Sequence, residues 1–161
     1  MTDTPAPMPM IERRCIEATI LKHVYETLKE SHGEAAARKA IGDSVRRASI
    51  QQGAEMAAKV DGKTSMQSFI DIQSLWTMED ALRIDVQKQS PEEFVFHVTR
   101  CRYAEMYKDM GLGDIGHLLS CQRDGTFCEG YDPRLKLTRT QTIMQGASHC
   151  DFSYRFEEAA S

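Results

Sequence analysis

The chain has no long apolar run; nothing approaches the ~18 residues that a membrane-spanning helix needs. It has no basic stretch leading into an apolar core at its start. MTDTPAPMPM holds three of the five prolines and reads as a loose tail rather than a signal peptide. It has no excess of positive charge: 20 Lys and Arg stand against 24 Asp and Glu, a net charge of −4. That argues against nonspecific nucleic-acid binding, which needs a basic face. No two cysteines have the CxxC spacing of a structural zinc site. Five cysteines at irregular spacing also suit a disulfide framework poorly. These absences point to a cytoplasmic protein with reduced thiols, bound neither to a membrane nor to nucleic acid.

What is present fits one α+β domain. The length of 161 residues suits a single domain, and 41% hydrophobic residues are enough for a core. Residues 1–10 are expected to be disordered and 11–158 to form the domain. Ile16, Ile20, Leu21, Val24 and Leu28 recur at helical spacing over 11–30, and Gly33 is a stop. Residues 34–60 form a second helical stretch that Gly42 and Gly53 weaken. A third helix is predicted over 65–76, with Phe69, Ile72 and Trp76 inward. The period then changes from 3.6 to 2. Leu82, Ile84 and Val86 alternate with polar residues, Ser90-Pro91 breaks the run, and Phe94, Phe96 and Val98 alternate next. This is an antiparallel pair. Residues 103–122 return to helical character around Gly111 and Gly113. Asp132-Pro133 is a turn, and 135–144 and 151–157 read as strands. The expected layout is a helical N-terminal half, 11–76, packed with a small, mostly antiparallel sheet in the C-terminal half, 80–157. The helical half also offers a surface for homo-oligomer formation.

Reactive side chains concentrate in the C-terminal half. Cys101, Cys121, Cys128 and Cys150 all lie there, with His117, His149 and many acids, arginines and tyrosines. The thiols admit three readings: small buried hydrophobes, a nucleophile or acid–base group, or metal ligands. Cys15 stands apart and reads as core. His149, Cys150 and Asp151 are adjacent, so strand alternation separates His149 from Cys150. His97 and Cys101 share a nominal face. On the predicted strand 135–144, Arg139 and Gln141 fall on the face of Leu135, Leu137 and Ile143. A buried guanidinium needs a partner. That partner is either an anionic ligand held bidentately or an internal acid such as Glu129. Tyr103, Glu105, Tyr107, Tyr131 and Tyr154 are further candidates for lining a polar pocket.

Three segments carry a family resemblance: RCRYAEMYKDMGL from Arg100, LLSCQRD from Leu118, and CEGYDPRLKLTRTQTIMQGASHCDFSYR from Cys128. Over 97–156 the chain resembles the L-2-amino-thiazoline-4-carboxylic acid hydrolase family. Two positions depart from the family pattern: Arg102 replaces an expected proline, and Cys128 an expected apolar residue. The resemblance implies a hydrolase that opens a small cyclic amidine and yields N-carbamoyl-L-cysteine. Such chemistry needs a base or thiol, a proton source, help for the leaving sulfur and a carboxylate anchor. Cys101, Cys121 and Cys150 occupy the family-like motif positions. By residue type, Glu105, Asp124 and Asp151 are the candidate bases, Arg139 the anchor, and Gln141, Tyr103 and His149 further substrate contacts. No pattern names a cofactor or metal. The rival reading is a noncatalytic, thiol-rich module that binds a metal or ligand beside a partner enzyme.

Overall fold

The computed structural model describes residues 5–157. Two long helices come first, α1 over Met10–His32 and α2 over Glu34–Ala58. Gly33 joins them at φ 88°, a conformation that favours glycine. Short helices α3 (Met66–Ile72) and α4 (Ser74–Thr77) follow. The third predicted helix is thus split in two. Ser65 opens α3 with a reciprocal cap to Ser68.

β1 (Leu82–Gln89) and β2 (Glu93–Cys101) form the expected hairpin, and α5 (Arg102–Asp109) follows at once. A π-helical turn over His117–Cys121 leads into α6 (Arg123–Tyr131), and β3 (Leu135–Thr138) and β4 (Cys150–Phe156) complete the chain. The sheet order is β1-β2-β4-β3, antiparallel throughout. The fold is therefore α+β, with its helices mostly in the N-terminal half and its sheet in the C-terminal half. Among the described residues no helix is long and apolar enough to cross a membrane. The expected tail, 1–10, lies partly outside the described residues, and Met10 opens α1 as a buried residue.

Period 2 sets the inner face of the sheet: Phe94, Phe96 and Val98 of β2 with Cys150, Phe152 and Tyr154 of β4. Phe69 of α3 and Phe127, Cys128 and Tyr131 of α6 cover it. A second cluster joins Ala18 and Tyr25 of α1, Ile41 and Val45 of α2, and Tyr103 and Tyr107 of α5. Met56, Trp76, Leu82 and Cys101 pack against both clusters and make the core continuous.

Four expectations need correction. The buried stripe of α1 is Met10, Arg14, Ala18 and Tyr25, while Ile16 and Ile20 stay 58% and 63% exposed. Both stripes have helical period; the buried one contains an arginine, which apolar patterning discounts. Cys15, read as core, is exposed for the same reason. On β1, Ile84 and Val86 are exposed: this is an edge strand, and only its Leu82 end packs against the core. Finally, the strand from Leu135 stops at Thr138. Beyond it, the backbone N–H groups of Thr140 and Gln141 donate to the Asp151 carboxylate, each at 2.9 Å, rather than to a ladder.

Candidate active site

A cavity of about 40 Å³ lies between the inner face of the sheet and helices α1, α2, α3, α4 and α6. A single water needs about 10–15 Å³, so the space exceeds one water. Phe69, Trp76, Phe96, Phe127 and Phe152 form its apolar wall. The rings interlock: Trp76 meets Phe127 edge-on at 5.5 Å, and Phe96 stacks on Phe152 at 4.8 Å. Arg14, Gln52, Arg123, Asp124 and Tyr154 bring polar atoms to the same space.

Asp124 is the acid of this wall. It sits in the first turn of α6, where the helix N-terminus favours a carboxylate. Its Oδ2 accepts from Arg139 Nη1 at 2.7 Å. Arg139 also donates to the Cys121 carbonyl at 3.0 Å and lies 4.9 Å over the Phe152 ring. Oδ1 of Asp124 receives no bond from any described residue. Asp124 is half-buried, with 26% of its side chain accessible, and it lines the cavity. Burial pushes its carboxyl up, against the pull of Arg139 first and of Arg14 and Arg123 after it. Such a carboxyl takes and returns protons closer to neutral pH than an exposed one.

Tyr154 adds a second free group. Nothing among the described residues bonds its hydroxyl, and it opens onto the cavity. Burial raises its phenol well above the ordinary value, so it stays a proton donor. Across the cavity, Arg14 donates to both oxygens of Glu17 at 3.1 Å and to Gln52 at 3.0 Å. Arg123 donates to Glu17 at 3.0 Å and to the Leu119 carbonyl at 2.8 Å.

All five cysteines are free. Cys121 interacts electrostatically with Asp124, Arg139, Cys101 and Cys150, so the fold brings these groups near one another. Cys101 caps α5, its sulfur accepting from the Ala104 N–H at 3.4 Å. Cys150 accepts from the Ile143 N–H at 3.2 Å. Cys128 donates to the Asp124 carbonyl at 3.3 Å; α6 runs straight through Gly125 and brings it there. Burial raises every one of these thiols, Cys101 to about 11 and Cys128 to about 12. Thiolate is therefore scarce near neutral pH. Among the described residues no three His, Cys, Asp or Glu side chains are arranged to hold a metal ion.

The other sequence candidates lie elsewhere. Asp151 is on the outer face of the sheet, opposite His97 on β2. Burial, the largest single influence, raises its carboxyl, but bonds from Thr140 and the backbone of Thr140 and Gln141 together outweigh this and lower it. Gln141 donates to the His149 carbonyl at 3.0 Å, and the His149 ring lies 4.6 Å from that of His97. Glu105 is exposed and paired with Arg100 at 3.3 Å, on the rim of an open surface groove. Tyr103 is buried, and its hydroxyl donates to the Trp76 carbonyl at 3.0 Å. Arg139 pairs with Asp124, not Glu129, which instead holds Arg46 at 2.8 Å.

The cavity draws on both halves of the chain, whereas the site was expected within 97–156. Arg14, Gln52, Gln73 and Arg123 were not foreseen there, and Trp76 was expected inward only as core. The available signal for Arg14 was its place four residues from both Met10 and Ala18, on one helix face.

A family model described as L-2-amino-thiazoline-4-carboxylic acid hydrolase matches residues 13–154. No curated protein matches the chain at a significant level. One similar solved structure is the crystal structure of the phenol-responsive sensory domain of the transcription activator PoxR with phenol. It superposes with a TM-score of 0.53 at 11% identity, over 88% of this chain and 73% of that one. At that identity the likeness concerns the fold alone.

Proposed function

The chain belongs to the L-2-amino-thiazoline-4-carboxylic acid hydrolase family, and on that premise we propose that it opens a small, carboxylated cyclic amidine in the cavity beside Asp124. The observation that carries the reading is Asp124 itself. It is a carboxyl with a raised pKa in the wall of an aromatic-lined space, one oxygen held by Arg139 and the other without a bond from any described residue.

The chemistry follows from that placement. The target carbon, C2 of the thiazoline, carries one sulfur and two nitrogens. Asp124, as carboxylate, takes a proton from water as the water oxygen bonds to C2. The ring nitrogen ends protonated, with the Tyr154 hydroxyl placed to donate and to be reprotonated from solvent. The C2–S bond then breaks as the C2 hydroxyl becomes the carbonyl and releases its proton to solvent, balancing the one drawn through Tyr154, and Asp124 returns its proton to the leaving sulfur. One water is consumed and one thiol released, which gives N-carbamoyl-L-cysteine. Arg139 keeps Asp124 oriented and ionisable, while the aromatic wall limits water to the reacting molecule. The raised thiols favour water over a cysteine as nucleophile, and the Cys121 carbonyl helps to hold Arg139.

A second reading is a noncatalytic ligand-binding module, one form of the rival that the thiol-rich sequence also allowed, here acting as a sensor. The aromatic wall and the unbonded Tyr154 hydroxyl favour it, since they suit a small ring with a polar substituent. It agrees with the fold shared with a phenol-responsive domain. One assay separates the two. Purified protein is incubated with L-2-amino-thiazoline-4-carboxylate, and free thiol and ring-opened product are quantified. The hydrolase reading expects one thiol per ring opened, and a loss of about 10²–10⁴-fold in Asp124→Asn. Binding without thiol release rejects it in favour of the sensor.

A further inference from the structure

Two buried guanidinium groups in the cavity wall share one carboxylate. Arg14 is 2% exposed and Arg123 7%. Both bond Glu17, at 3.1 and 3.0 Å. Asp124, the acid that lines the cavity, is already matched by Arg139. A positive charge therefore remains uncompensated in the interior, a costly arrangement without an anion. Burial and the neighbouring Arg14 lower the Arg123 guanidinium to about 10, the direction expected of crowded cations.

The donors are also incompletely used. Arg14 gives Nη1 to Glu17 and Nη2 to Gln52. Arg123 gives Nε to Leu119 and Nη2 to Glu17. Nothing among the described residues accepts from Arg14 Nε or Arg123 Nη1. Among the described residues no deeply buried side-chain nitrogen or oxygen lacks a partner, so neither nitrogen is sealed off, and both residues line the cavity. Gln52 fixes the Arg14 fork and Leu119 the Arg123 fork, so neither swings away.

We propose that Arg14 and Arg123 form a carboxylate-binding subsite of the cavity, with Glu17 setting its strength. The inference rests on the hydrolase reading only for the identity of the ring that carries the carboxylate. In that reading the carboxylate sits against α1 and α6, the ring lies along Phe127 and Trp76, and C2 faces Asp124. Two guanidinium groups in fixed forks suit the two oxygens of one carboxylate. Arg139, the anchor expected from the sequence, holds the base instead.

The test uses an unreactive pair of the same ring size, thiophene-2-carboxylate and thiophene-2-carboxamide, titrated calorimetrically into the full-length protein. Wild type should bind the acid about tenfold or more tightly than the amide, as charge-assisted bonds require. Arg123→Gln should reduce that advantage to about threefold or less. Glu17→Gln removes the competing carboxylate and should widen it, a gain that misfolding cannot mimic. Equal binding of acid and amide by wild type, or no binding of either, overturns the subsite. So does an advantage that Glu17→Gln leaves unchanged or narrows. Thiol release from L-2-amino-thiazoline-4-carboxylate is measured in parallel. Acid preference without ring opening keeps the subsite and removes the hydrolase reading; ring opening with no acid preference does the reverse.

Discussion

Gly53 of α2 and Gly130 of α6 meet where the two helices cross. A Cβ on Gly53 would stand 2.2 Å from the Phe127 carbonyl oxygen, and one on Gly130 would stand 1.9 Å from that of Ile50. Both obstacles are backbone, so neither can rotate away. The contact brings Gln52 and Arg123 to one cavity, and it is why α2 tolerates a glycine in its interior. Gly53→Ala and Gly130→Ala should each destabilise the fold by about 1–3 kcal/mol or more, read as a lower urea midpoint. Gly125→Ala is the control: its Cβ would meet nothing, and helix propensity favours alanine.

The sheet was legible in the sequence because alternation at Phe94, Phe96 and Val98 has one solution. The helices were legible as helices, but their orientation was not. Ile16, Ile20 and Val24 form as good an apolar stripe as Met10, Arg14, Ala18 and Tyr25, and only a partner for Arg14 decides between them. That partner, Gln52, is 38 residues away. Asp124 and Arg139 were both named as candidates, yet nothing in their spacing pairs them, since α6 and the loop after β3 meet only in the fold. Asp151 looked as reactive as Asp124 and instead ends β3 by binding two backbone N–H groups.

Arg139 should act through Asp124. Removing a cation beside a carboxyl raises that carboxyl further. Arg139→Met should therefore lower kcat and move the acid limb of kcat/KM to higher pH, whereas Arg139→Lys should move it less. A rise in KM alone, with the limb in place, would mean that Arg139 holds substrate directly.

Native alkylation should separate the cysteines. Cys15 is exposed, whereas burial raises the thiols of Cys101, Cys121, Cys128 and Cys150. Iodoacetamide at pH 7.5, about one unit below a free thiol, followed by peptide mass spectrometry, should label Cys15 first and the other four only after denaturation. Fast labelling of Cys121 or Cys150 in folded protein would restore a thiol nucleophile.

Asp132 ties the α6–β3 turn to Thr64, at 2.6 Å, and to Arg134, at 2.7 Å. Burial alone would raise its carboxyl, but the bonds from Arg134 and Thr64 hold it at about 2. Its folded value is below its unfolded one, so its contribution is present above about pH 4 and is lost as pH falls toward 2. Asp132→Asn should cost about 2 kcal/mol at pH 7 and flatten the acid limb of the stability curve. Unfolding midpoints at pH 7 and pH 3 for both proteins check this.

The account turns on Asp124 as the base, and the pH dependence of kcat/KM reads it most directly. The free-enzyme profile reports the ionisation of essential groups. With L-2-amino-thiazoline-4-carboxylate, wild type should gain activity as pH rises along a limb above the ordinary carboxylate range of about 4. Residual activity in Asp124→Asn should show no such limb. The same limb persisting in that variant would contradict the account, because the group that titrates would then be another.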